Sequence, residues 1–141
     1  MYSNKDFEQL RIGENLTPLV KKMTQDKINK YVSAAEDYNP LHVDVEFAKT
    51  TPFKGTIAPG FQYMAYISEL MAREFGEGWY VGGILDVRLF RPVRPEDWLF
   101  TRAKIVDKKQ ENEEKIVICE VRITNQNNED VIAGTAEARC T

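Results

Sequence analysis

Apolar and polar residues alternate along the second half of the chain, as expected of strands with one buried face. This pattern predicts four strands, over residues 79–90, 98–106, 116–124 and 131–140, separated by turn-forming or charged segments at 91–97, 107–114 and 125–130. Gly82 and Gly83 interrupt the first of these strands and indicate a bulge or a close approach of two backbones. The four segments together predict an antiparallel meander.

The first half of the chain shows a helical period instead. Its apolar positions at helical spacing are Ile28, Tyr31, Val32 and Ala35. Thr24 is suited to be the N-cap and Asp26 lies in the first turn, where the helix dipole favours a negative charge, so we predict an amphipathic helix ending near Glu36. Asp44 is predicted to cap a short helix over 45–49. The first twenty residues are expected to be extended, with 16–20 pairing with a sheet edge.

Residues 61–75 are apolar on nearly every side of a helix, which is typical of a buried helix. One stripe contains Phe61, Met64, Ala65, Ser68, Met71, Ala72 and Phe75, and most of the remainder is Tyr63, Tyr66, Ile67 and Leu70. Gly76 suits the left-handed residue that ends such a helix. One buried helix followed by long strands predicts an α+β fold in which a curved antiparallel sheet wraps around the helix. Residues 1–141 contain no linker or repeat and are predicted to form a single domain.

Composition excludes several classes of function. The apolar fraction of 43%, the charged fraction of 29% and the net charge of −3 with well-mixed signs argue against nucleic acid as a partner. No apolar run approaches the roughly 20 residues that span a bilayer, and the N-terminus lacks the apolar core of a signal peptide, so no membrane association is expected. Cys119 and Cys140 are far apart and are predicted to be free thiols in a cytoplasmic protein. Two cysteines and one histidine do not make an ordinary zinc site, so we expect no metal and no cofactor.

The only histidine, His42, ends the segment Asp37-Tyr38-Asn39-Pro40-Leu41-His42. Pro40 lacks a backbone donor and disfavours helical geometry at Asn39, so the preceding helix must end there. A loop broken by proline can fold the Asp37 carboxylate and the imidazole towards one point, as general acid–base chemistry requires. A local cap or a solvated turn is the structural alternative for this pair.

This segment resembles the signature of the MaoC-like acyl dehydratases, whose best-known members are the (R)-specific enoyl-CoA hydratases. The family pattern Gly-Asp-x-Asn-Pro-Leu-His-x-Asp, followed by Ala, is matched by residues 36–44 and Ala48 at every named position except the first. The family's Gly-x-Ile-x-His-Gly segment corresponds to Gly55-Thr56-Ile57-Ala58-Pro59-Gly60, and its Phe-x-x-Pro-Val-x-x-Gly-Asp turn to residues 90–97. The resemblance covers roughly residues 10–140.

The resemblance implies the hot-dog fold and a hydratase or dehydratase that acts on an enoyl thioester of CoA or acyl carrier protein. It also implies a homodimer or a dimer of dimers. By resemblance, Asp37 and His42 bind a water molecule and exchange its protons, and the Gly60 amide contacts the thioester oxygen; a tight turn into the helix is the alternative role for Gly60. Asn39 is expected to brace the loop. Ser68 either lines the catalytic pocket or fills the core.

Two departures from the family pattern bear on substrate choice more than on reaction type. Pro59 replaces the histidine of most active members, and Glu36 replaces a glycine. Candidate walls of the acyl tunnel are Phe53, Phe61 and Tyr63. Two other functions stay open: a hot-dog thioesterase, with Glu69 as the acidic residue that activates water, and a non-catalytic acyl-thioester binding subunit of a dehydratase complex.

Overall fold

A computed structural model describes residues 5–140, so residues 1–4 of the predicted extended lead-in lie outside the described part. Two 3₁₀ turns cover Phe7–Gln9 and Pro40–His42. The helices are α1 (Gln25–Ala35), α2 (Val45–Lys49), α3 (Gly60–Phe75) and α4 (Glu77–Tyr80). The strands are β1 (Leu19–Lys22), β2 (Ile84–Leu89), β3 (Trp98–Glu111), β4 (Glu114–Thr124) and β5 (Asp130–Cys140). Within residues 5–140, none of the helices has the length and apolarity required to cross a bilayer.

The five strands form one antiparallel sheet in the order β1-β3-β4-β5-β2. β1 pairs with β3, so the predicted pairing of the N-terminal segment with a sheet edge is confirmed. α3 packs across β3, β4 and β5. The predicted α+β hot-dog architecture, a long helix wrapped by an antiparallel sheet, is confirmed.

The predicted turn over residues 107–114 is wrong in extent. β3 continues to Glu111, which pairs with Glu114 at the start of β4, and only Asn112 and Glu113 turn the chain, both at positive φ. The charged side chains of this hairpin do not oppose a strand, because a ladder is held by backbone hydrogen bonds and the hairpin end lies in solvent. Charge therefore marked exposure here, not the end of the strand.

The predicted strand over 79–90 is also wrong at its start. Residues Glu77–Tyr80 form α4, in which the Trp79 amide donates to Gly76 O at 3.0 Å. The strand begins only at Ile84. Gly82 has a φ of +102°, and a Cβ added at Gly83 would lie 2.3 Å from Trp79 O. The expected close approach of two backbones is real, but it makes the turn between α4 and β2 and is not a bulge within a strand.

The side of α3 that faces the sheet differs from the predicted stripe. Its buried apolar residues are Tyr63, Ile67, Leu70, Met71, Ala72 and Phe75. Phe61, in contrast, is 75% exposed and Ala65 is also exposed, so burial on every side is wrong for the single chain. Both stripes are apolar, and periodicity alone cannot choose between them. Gly76 follows the helix at a positive φ of 55°, which favours glycine, although its ψ of −126° lies outside the left-handed helical region.

Both thiols are free, as predicted. Cys119 is fully buried on β4, and burial, reinforced by the nearby Glu74 carboxylate, raises the pKa of its thiol to about 12. Cys140 is half-buried at the end of β5. Among the described residues, no three His, Cys, Asp or Glu side chains converge closely enough to hold a metal ion.

Candidate active site

The loop that carries Asp37 begins with a left-handed turn. Glu36 ends α1 at φ 55° and ψ 36°, and the Asp37 amide donates to Val32 O at 3.1 Å. Glycine adopts this conformation at least cost, which explains why the family pattern has glycine there. The Glu36 departure therefore leaves the direction of the loop unchanged.

Local hydrogen bonds then fold the loop back on itself. Asn39 Oδ1 accepts from the Leu41 amide at 3.0 Å, and Asp37 Oδ1 accepts from the Asn39 amide at 3.4 Å. Pro40 opens the 3₁₀ turn that ends at His42. The Asn39 side chain thus bonds within its own loop, and a contact between Asn39 and substrate stays a prediction.

The structure brings Asp37 and His42 together, and we call this pair the dyad. Asp37 Oδ2 lies 3.7 Å from His42 Nε2, while the imidazole is 11% exposed and the carboxylate 42% exposed. The distance is too long for a direct hydrogen bond. A water molecule about 2.8 Å from each atom would complete a triangle on this base, so the dyad can hold one water from two sides.

A backbone carbonyl fixes the orientation of the imidazole. His42 Nδ1 lies 2.8 Å from Ile57 O. Because a carbonyl oxygen only accepts, we assign the hydrogen of the neutral ring to Nδ1, which leaves the lone pair of Nε2 facing Asp37. The ring is therefore set to accept a proton on the side of the carboxylate.

Sequence reasoning missed two of the groups that hold His42. They are the Ile57 carbonyl and the side chain of Gln25, whose Nε2 donates to His42 O at 2.8 Å. No sequence signal could have found either one. A backbone acceptor carries no residue identity, and Gln25 has the composition of an ordinary first-turn helix residue.

Gly60 is the first residue of α3. Pro59 is the N-cap and makes no side-chain capping bond, so no side chain satisfies the first-turn N–H groups that every helix leaves unpaired. A Cβ added at Gly60 would lie 2.8 Å from Leu89 Cδ2 and 4.0 Å from the Tyr63 hydroxyl. The residue is thus closely packed on its Cα side and has an amide suited to an anion.

Ser68 and Glu69 have partners elsewhere on α3. Ser68 Oγ accepts from the Trp79 indole at 2.8 Å, which ties α4 to α3, and its role in a catalytic pocket stays a prediction. Glu69 forms a 3.0 Å ion pair with Lys21 on β1 and is 41% exposed. A carboxylate already paired with a lysine in solvent is poorly placed to activate water for thioester hydrolysis.

A shallow cavity of about 230 Å³ lies beside these groups. It is lined by Phe53, Ile57, Tyr63, Leu89, Phe90, Arg91 and Pro92. The predicted tunnel walls Phe53 and Tyr63 are among the lining residues, whereas the exposed Phe61 is not. Burial raises the pKa of the Tyr63 phenol, so its hydroxyl keeps its proton. The cavity therefore adjoins both Ile57, which holds the His42 ring, and Leu89, which packs on Gly60.

The fold and the loop define a MaoC-like domain. The family model described as "MaoC like domain" matches residues 7–127, and the chain belongs to this family. The uncharacterized protein YdeM of Bacillus subtilis is 30% identical over 130 residues, which are 89% of each chain. The mitochondrial 3-hydroxyacyl-[acyl-carrier-protein] dehydratase FERN of Solanum lycopersicum is 27% identical over 96% of this chain and 81% of its own. The unliganded R-hydratase PhaJ1 of Pseudomonas aeruginosa superposes with a TM-score of 0.82 at 28% identity, covering 97% of this chain and 86% of that one.

Proposed function

We propose that the protein is a hydratase or dehydratase that adds or removes water across the 2,3 double bond of an enoyl thioester, with an (R)-3-hydroxyacyl thioester as the hydrated product. The observation that carries this proposal is the dyad, in which a buried imidazole presents Nε2 at 3.7 Å from a carboxylate oxygen. The relatives named as an R-hydratase and as a 3-hydroxyacyl-[acyl-carrier-protein] dehydratase support the same reaction class.

The dyad handles both protons of the hydration. Water held between Asp37 Oδ2 and His42 Nε2 loses a proton to the dyad while its oxygen bonds to C3 of the substrate. The dyad then returns a proton to C2 and ends in its starting state. Because both groups come from one loop, the hydroxyl and the proton reach the same face of the double bond.

The first turn of α3 stabilises the charge that develops on the substrate. As water attacks C3, the thioester oxygen becomes enolate-like and needs a hydrogen-bond donor. The Gly60 amide at the helix N-terminus supplies this donor together with the positive end of the helix dipole. Pro59 keeps the start of the helix, and the loss of the usual histidine side chain there bears on which acyl group fits.

We assign the acyl chain to the cavity between Ile57 and Leu89. Its walls are mostly apolar and lie next to both the dyad loop and Gly60, which suits the chain of an acyl thioester. The thioester is carried by CoA or by acyl carrier protein, and both hydration and dehydration pass through the same transition state.

We also propose assembly as a homodimer, or as a dimer of dimers, through the β2 edge of the sheet. β2 pairs only with β5, and its Ile84 is 56% exposed, close in sequence to the exposed apolar Leu89 and Phe90. An open edge with apolar side chains favours pairing with another chain. Free thiols at Cys119 and Cys140 support a cytoplasmic location, which cell fractionation tests.

Sedimentation equilibrium is expected to give at least twice the 16.3 kDa mass of the chain, and Ile84→Lys is expected to shift it towards monomer. The matched control is Val20→Lys, an exposed position on β1 at the opposite edge of the sheet, which should leave the mass unchanged. A monomeric wild type at micromolar concentration, or equal effects of both variants, would contradict assembly through β2.

The proposed reaction is tested with purified protein and 2-enoyl thioesters of several chain lengths on both carriers. We expect the enoyl absorbance to fall and (R)-3-hydroxyacyl thioester to accumulate, starting with crotonyl-CoA. Release of free CoA would indicate a thioesterase instead. No turnover of any enoyl thioester on either carrier would favour a non-catalytic binding subunit.

A further inference from the structure

The Gln25 side chain connects two segments of the candidate site. Its Nε2 donates to His42 O at 2.8 Å, and its Oε1 accepts from the Thr56 hydroxyl at 2.7 Å. Nε2 also donates to Asn29 Oδ1 at 2.9 Å, within α1. One amide thus bridges the dyad loop to the segment that leads into α3. We call the bridge from His42 O through Gln25 to Thr56 the clamp.

The polarity of the clamp allows only one arrangement. His42 O is a carbonyl and only accepts, so the NH₂ end of the Gln25 amide must face it. The oxygen of the amide then faces Thr56, whose hydroxyl is the donor, and Thr56 is only 8% exposed. Each group meets a partner of opposite character, and loss of either end leaves polar groups unpaired at a poorly hydrated position.

The clamp fixes the carbonyl that orients the catalytic imidazole. Ile57, the residue after Thr56, accepts from His42 Nδ1 through its carbonyl and donates to Leu41 O through its amide at 3.4 Å. Three links therefore hold residues 56–57 against residues 41–42. The same segment reaches Gly60 three residues later, so its position also sets where α3 begins relative to the dyad.

We propose that Gln25 is a positioning residue of the dyad that acts through Thr56, an inference that rests on the proposed function. It holds the Ile57 carbonyl where it takes the Nδ1 hydrogen of His42, and so keeps the Nε2 lone pair directed at the water site. Gln25 does not touch the reacting atoms. Its effect is on the tautomer and direction of the imidazole.

The single histidine of the chain makes this directly measurable. In protein labelled with ¹⁵N-histidine, the imidazole nitrogen shifts report the His42 tautomer without any assignment step. Wild type is expected to show the Nδ1–H form, and both Gln25→Ala and Thr56→Val are expected to show a mixture of tautomers. Both variants should lower kcat between about 10- and 100-fold with little change in KM, since a small misplacement of a reacting group costs this much.

Two further variants separate positioning from general loss of structure. Thr56→Ser keeps the hydroxyl donor and should retain the wild-type tautomer and kcat. Asn29→Ala removes the exposed third partner of the Gln25 amide, outside the clamp, and should also match wild type. Melting temperatures of all four variants identify any that fail to fold, and Thr56→Val, which keeps the shape of the side chain, carries the test if Gln25→Ala does so.

An unchanged tautomer in both Gln25→Ala and Thr56→Val would overturn the inference, as would an equal change in Asn29→Ala. The tautomer is read without substrate, so it is independent of the proposed reaction. If wild type turns over no enoyl thioester but the two clamp variants still lose the Nδ1–H form, the positioning role of Gln25 is supported and only the proposed function fails.

Discussion

Loss of the imidazole at position 42 is expected to lower the kcat of enoyl thioester hydration by about two to four orders of magnitude. His42→Gln is the preferred variant, because its amide can still donate to Ile57 O, whereas His42→Ala leaves that carbonyl unpaired at a buried position. Asp37→Asn should cause a loss of similar size, since the amide keeps the shape of the carboxylate but neither takes up a proton nor carries charge. The measurement is initial rate against substrate concentration for each variant.

The double variant tests whether the dyad acts as a unit. Residues that share one chemical task are strongly non-additive, so Asp37→Asn combined with His42→Gln should be about as slow as the slower single variant. The matched control is Asp44→Asn, the same change in the same motif. Asp44 Oδ1 caps α2 by accepting from the Phe47 amide at 3.0 Å, a task that asparagine performs equally well. A loss below tenfold in either single variant, or a comparable loss in Asp44→Asn, would remove the dyad from the mechanism.

The helix starts were predictable because helix capping depends on residues close in sequence. Thr24 accepts from the Lys27 amide and Asp44 from the Phe47 amide, each three residues away, so the residues that decide the start of α1 and α2 are adjacent in the sequence. The same holds for the break after α1, where Pro40 rules out a continued helix. Local chemistry therefore carried the prediction that Asp37 and His42 lie in one loop.

Elements decided by tertiary contacts were not predictable. Trp79 favours a strand by its own propensity, but it lies in α4, with its indole bonded to Ser68 on α3 and Gly83 packed against its backbone. The choice of buried face on α3 failed for a related reason. Phe61 and Ile67 are both apolar, and only the placement of the sheet makes one exposed and the other buried.

In the candidate site, the sequence predicted which groups do chemistry but not how they are aimed. A titratable pair can be recognised from residue type and spacing. The direction of the imidazole depends on Ile57 O and on the clamp through Gln25, which join residues 15 and 17 positions apart from His42 by contacts with no sequence pattern. Orientation at a catalytic site is a property of the folded chain.

The Gly60 amide can be removed without removing the helix that carries it. Gly60 is the first residue of α3, where proline is favoured because that N–H is unpaired in any helix, and Pro59, at ψ 138°, is already in the conformation that a following proline requires. Gly60→Pro should therefore keep α3 and delete the proposed donor to the thioester oxygen. Gly60→Ala is the matched control, because it adds the same Cβ and keeps the N–H. Loss of one oxyanion donor typically costs about 10²–10³ in kcat, and we expect Gly60→Pro to be slower than Gly60→Ala by this factor.

The packing of Leu89 decides how this comparison is read. A Cβ at position 60 meets Leu89 Cδ2 at 2.8 Å, so both variants disturb the cavity wall, and each is therefore also made in a Leu89→Ala background that relieves the contact. If the amide binds the developing oxyanion, the gap in kcat between the proline and alanine variants persists in that background while KM converges. Equal kcat for the two variants would show that the crowding of Leu89 alone causes the loss, and the thioester oxygen would then need a donor other than Gly60. Because the gap is measured between two variants with the same added Cβ, it isolates one N–H group at the start of one helix.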